Sequence, residues 1–177
     1  FFGAICFSSK AIMIKLAYQL KIDPLSLLTL RMVFALPFFV IVALLNSRNV
    51  KQERVSNKDY IKIMALGLLG YYTASILDFI GLKYISAGLE RLILFIYPTI
   101  VVLIGLIFYK KPVTKIIYLA LALTYTGVAI VFLDGLTFSK ENAFLGASLI
   151  FGSAITYAVY LVGTERLVPR IGSVRFT

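Results

Sequence analysis

Residues 25–45 read LSLLTLRMVFALPFFVIVALL, and residues 89–109 read LERLILFIYPTIVVLIGLIFY. A helix rises about 1.5 Å per residue, so about 20 apolar residues cross the hydrocarbon core of a bilayer, and both stretches reach that length. They read as spanning helices rather than as core helices of a soluble domain. The pattern recurs along the chain, with helices expected at about 1–18, 25–45, 60–83, 88–109, 115–134 and 143–163. The joints between them are short, so sequential helices are expected to be neighbours.

Composition points the same way. Of 177 residues, 60% are hydrophobic and 15% charged, with a mean hydropathy of +0.95. A soluble domain of this size could not hide so much apolar surface. The fold class is therefore an all-α polytopic membrane protein. The net charge of +10 would suggest nucleic acid in a soluble protein. Here most basic residues flank spans, where they face anionic lipid, so the expected partner is the bilayer and not nucleic acid. Cys6 is the single cysteine and histidine is absent, which excludes an intrachain disulfide and a CxxC metal site and removes the commonest general base. No metal or cofactor is expected.

The chain opens at Phe1 inside an apolar run and stops in a polar tail, which reads as a piece of something longer. Lys10 and Lys15 interrupt the first stretch, making it a poor signal peptide.

Basic residues concentrate in alternate joints. Arg48, Lys51, Arg54, Lys58 and Lys62 follow the second block, Lys110, Lys111 and Lys115 follow the fourth, and Arg166, Arg170 and Arg175 follow the sixth. The remaining joints hold only Lys21, Lys83 and Lys140. Basic joints are retained in the cytoplasm, so the protein is expected in the cytoplasmic membrane with both ends of this chain inside.

Ionisable residues within spans are costly, at least about 2.5 to 3.5 kcal/mol near a helix centre for Arg, Lys and Asp, and each needs a partner, water or a route to the interface. Counting from the expected helix ends, Lys15, Arg31, Asp78, Glu90 and Arg91 share the outer third of the membrane. They are expected to form an ion-pair network that closes the outer side of a cavity by making and breaking. Independent snorkelling of Lys15, Glu90 and Arg91 is the alternative. Lys10 falls near the midplane, where it would face a water-lined cavity. The excess of cations, Lys10, Lys15, Arg31 and Arg91 against Asp78 and Glu90, favours a small-molecule substrate carrying a carboxylate or phosphate. Tyr71, Ser75 and Tyr97 are further candidates for substrate binding, through neutral hydrogen bonds.

Pro37 and Pro98 fall mid-span, each removing a hydrogen bond to the carbonyl four residues earlier, so both are expected to kink their helices, for packing or for transport. Gly67, Gly70 and Ala74 recur at helical spacing as a close-packing stripe. Shifting the sequence by 143 positions sets Phe1, Gly3, Ala4, Ala11 and Ile12 on Phe144, Gly146, Ala147, Ala154 and Ile155. Helices one and six enter from opposite sides, so the two copies would be inverted, as in many secondary transporters.

Phe7-Ser8-Ser9 leading to Lys15, then Asp23-Pro24-Leu25 and Arg31, resembles the opening of an EamA repeat of the drug/metabolite transporter superfamily. The run from Gly81 to Gly88, followed by Tyr97-Pro98, resembles that family's junction of helices three and four. The resemblance implies a ten-helix inverted-repeat carrier moving small metabolites by alternating access. Residues 1–134 would then be the first repeat and residues 143–177 the start of the second. A homodimer is compatible with such a carrier. Lys110-Lys111-Pro112 stands where many members have Gly-Glu, and the pair Glu90-Arg91 is not general in the family. A small multidrug exporter would resemble its kind in carrying a glutamate in helix one, where this chain has lysines. A lipid-headgroup transferase would need clustered aspartates or a histidine–acid pair, so an enzyme is not expected. A noncatalytic membrane scaffold remains the other alternative.

Overall fold

A computed structural model describes residues 2–47, 56–132 and 142–171. Arg48, Lys51, Arg54, Lys140 and Arg175 lie outside the described residues. Helices account for nearly all the rest: α1 (Phe2–Gln19), α2 (Pro24–Ser47), α3 (Asn57–Leu66), a π-helical segment (Gly67–Thr73), α4 (Ala74–Tyr84), α5 (Ala87–Leu94), α6 (Tyr97–Tyr109), α7 (Lys115–Phe132) and α8 (Ala143–Ile171). The protein is an all-α polytopic membrane protein. Pro24–Leu45, Asp59–Tyr84, Ala87–Tyr109 and Ala143–Pro169 are each long and apolar enough to span, while the apolar part of α7, Lys115–Ile130, is shorter. Lys10 and Lys15 lower the hydropathy of α1, which has 18 residues.

Two expected spans are interrupted. The third passes through the π segment between α3 and α4, and the fourth turns at Phe95 and Ile96 between α5 and α6. Pro98 sits in the first turn of α6, where a missing N–H costs nothing, so it starts a new helical segment rather than bending a continuous one. α2 continues as helix from Pro24 through Pro37 to Ser47. The sixth block extends beyond its expected end at 163 to Ile171, taking Arg166 and Arg170 into the helix.

Chain ends of helices are built from recognisable caps. Ser86 accepts a hydrogen bond from the Leu89 N–H at 3.2 Å and caps α5. After α1, Lys21 adopts a left-handed conformation, with Lys21 N–H bonded to Tyr18 O at 3.0 Å and Ile22 N–H to Ala17 O at 3.3 Å. This is a Schellman turn with lysine where glycine is usual.

The packing centre is α8. It lies chiefly against α4, and also against α6, the π segment and α5, rather than against its sequence neighbour α7. Close approach explains this. A Cβ added to Gly81 would meet Ile150 Cδ1 at 2.6 Å, one added to Gly146 would meet Tyr84 Cβ at 2.8 Å, and one added to Gly70 would collide with Tyr160. Ser153 of α8 donates to Ala74 O at 2.8 Å, tying the same two helices by a buried hydrogen bond. On the other side Ala11, Ile14, Leu28, Phe79 and Leu82 form a core joining α1, α2 and α4. Ala11 and Ala154, matched by the 143-residue shift, are both buried, and their successors Ile12 and Ile155 are both exposed.

Candidate functional site: a charged cluster beside a central cavity

Asp78 and Glu90 are both buried, at 3% and 0% exposure. The ammonium of Lys10 pairs with Asp78 and lies 3.9 Å from Glu90 Oε1, while Arg91 Nε lies 3.3 Å from Glu90 Oε2. Three helices thus meet in one cluster, α1 through Lys10, α4 through Asp78 and α5 through Glu90 and Arg91. Asp78 Oδ1 and both Glu90 oxygens have no hydrogen-bond partner among the described residues.

A cavity of about 120 Å³ opens beside it. Lys10, Arg31, Tyr71, Ser75, Asp78 and Tyr157 give it its polar character, with Gly70, Ala74, Leu94 and Ser153 completing the wall. Arg31 donates to the Tyr71 hydroxyl at 3.0 Å and lies over the rings of Tyr71 and Phe79, 5.7 and 5.9 Å from their centroids. It makes no ion pair with a carboxylate among the described residues.

Of the expected network, Asp78, Glu90 and Arg91 come together and Lys10 joins them. Arg31 is held nearby by aromatic groups, and Lys15 lines a different recess with Lys21 and Lys83. Lys10 does line the cavity, but its charge is already met by carboxylates. Of the expected binding residues, Tyr71 and Ser75 line the cavity. Tyr97 stands one residue further out, edge to face with Tyr157 at 5.3 Å between centroids. Tyr157 and Ser153 were missed by the sequence reading. Their signal is the spacing of Ser153, Tyr157 and Tyr160, which puts polar groups on one face of a spanning helix at its middle. Among the described residues no group of three or more His, Cys, Asp or Glu could hold a metal ion.

Residues 1–133 match the EamA-like transporter family. The chain belongs to that family. The EamA match covers α1 to α7 and thus every helix of the charged cluster. The uncharacterized transporter YcbK of Bacillus subtilis is 33% identical over 98% of this chain and 55% of that protein. An uncharacterized transporter of Archaeoglobus fulgidus is 22% identical over 88% of this chain and 52% of its own length. YyaM of Bacillus subtilis, also an uncharacterized transporter, is 26% identical over 73% of this chain and 43% of its own length. The chain thus spans about half the length of these curated relatives. No solved structure matches it.

Proposed function

We propose that this EamA chain is the first repeat, with the opening helix of the second, of a carrier that moves small zwitterionic solutes of the amino-acid class by alternating access. Family membership and relatives named as transporters support transport as the activity. The observation that carries the substrate class is the pair of opposite, incompletely satisfied groups on one small cavity. Arg31 has no carboxylate partner among the described residues, and Asp78 Oδ1 has no donor. A solute carboxylate fits the guanidinium, and Asp78 takes a solute ammonium when its pair with Lys10 opens, with Tyr71 and Tyr157 as flanking aromatic surface. Since Lys10 is already met by carboxylates, a simple anion has less to gain here than the count of cations would suggest. The Lys10–Asp78–Glu90–Arg91 cluster supplies a contact that can separate as α1 moves from α4 and α5, and serves as the gate of the cycle.

The test is counterflow of labelled solutes in proteoliposomes of the full-length protein, comparing amino acids, dicarboxylates and neutral sugars. Saturable exchange of amino acids is expected, with Arg31→Gln raising KM at least tenfold; Arg31 is chosen because it stands outside the buried cluster. Saturable transport of dicarboxylates alone would overturn the zwitterion assignment, and none across the panel would sink the carrier reading.

A further inference from the structure

Lys15 near the end of α1, Lys21 in the turn after it and Lys83 in the last turn of α4 are distant in sequence but line one recess of about 500 Å³, together with Tyr18, Asp23 and Pro24. The walls are fixed. The Tyr18 hydroxyl donates to Phe79 O at 2.7 Å, holding α1 to α4. The one carboxylate in the lining, Asp23, accepts from the Leu25 N–H at 3.1 Å and is turned onto the start of α2. That carboxylate meets the positive end of α2, so the cationic character of the recess comes from its three lysines. Lys21 and Lys83 have no ion-pair partner among the described residues.

Lys21 holds φ at 60°, at the position of a Schellman turn that glycine fills without strain. A lysine there carries a conformational cost that glycine would not, and its side chain lines the same recess as Lys15 and Lys83.

We propose that this recess binds a phosphate-type oxyanion, held by Lys15, Lys21 and Lys83. Three donors on separate segments around a concavity suit a group with several charged oxygens better than a single carboxylate. The recess lies at one end of the helical bundle, so the phosphate can come from a dissolved solute or from an anionic lipid headgroup. It stands apart from the central cavity, and its failure leaves the transport reading untouched.

Two arms separate the sources. Pyrophosphate is titrated calorimetrically into the full-length protein in lipid-free detergent, and phosphatidylglycerol retained after nanodisc reconstitution is counted by native mass spectrometry. Lys21→Gln with Lys83→Gln is expected to weaken pyrophosphate binding at least tenfold, or to lose the retained phosphatidylglycerol, according to source. The matching double arginine variant is expected to keep it. Lys21→Gly relieves the backbone strain, so it is expected to raise the melting temperature while weakening binding, which separates lost affinity from lost folding. Binding of neither probe, or binding that the glutamine variant leaves unchanged, overturns the site.

Discussion

A carboxylate with no exposed surface is costly in an apolar bundle unless it is protonated or lies beside a cation, and Asp78 and Glu90 lie beside Lys10 and Arg91. Removing one member of such a pair costs about 3–5 kcal/mol, because the survivor stays buried and uncompensated, whereas replacing both with apolar groups is often neutral. Asp78→Leu should therefore be strongly destabilised to heat or SDS unfolding, and Lys10→Met in the same protein should recover most of the loss. Arg31→Ala combined with Asp78→Asn should be close to additive, since Arg31 is anchored on Tyr71. Additive effects for Lys10 and Asp78 would contradict their pairing. The sequence reading found every charge in this cluster but set Lys10 apart from Asp78, because depth was counted along isolated helices. From the observed helix ends the two differ by about 4.5 Å at a rise of 1.5 Å per residue, and the four-carbon lysine stem covers that gap.

Helix contacts depend here on what side chains leave out. Gly81 and Gly146 let α4 and α8 approach until a Cβ at either would meet its neighbours below 3 Å. Gly81→Val should force the helices apart at a cost of about 1–3 kcal/mol, the range for overpacking a filled interior. Gly127→Ala in α7 is the control, since an added Cβ there has nothing within 4 Å. It should be neutral or stabilise by about 0.5–1 kcal/mol through helix propensity alone. Equal effects of the two substitutions would dismiss close packing as the role of Gly81. Apolar length made the helices legible, and the Gly70 and Ala74 part of the small-residue stripe does lie against α8. Hydropathy carries no information on backbone register, so the π segment and the turn at Phe95 and Ile96 were invisible to it. The central place of α8 was hidden for another reason: short joints argued for sequential neighbours, whereas glycine-permitted approach selects α4.

Across the whole molecule, charged joints sort to two ends. At one end Lys111 pairs with Glu165 at 2.5 Å and Arg166 lies over the Tyr109 ring at 3.8 Å, so the joint after α6 and the last turns of α8 share a surface. At the other end the α1–α2 turn meets the end of α4 around Lys15, Lys21 and Lys83. Exposed pairs such as Lys111–Glu165 contribute little to stability, about 0–1 kcal/mol, so their common location matters for topology rather than for energy. The first end gathers Lys110, Lys111, Lys115 and Arg166, and joints rich in lysine and arginine stay on the cytoplasmic side. In a full-length protein from which every native cysteine has been removed, Gln19→Cys should therefore react with an impermeant maleimide in intact cells, and Pro112→Cys should react only after permeabilisation. The opposite pattern would invert the orientation while leaving the fold intact. Labelling of both from one side would be more damaging, because α1 to α6 could not then cross the bilayer in the alternating path that the proposed carrier requires.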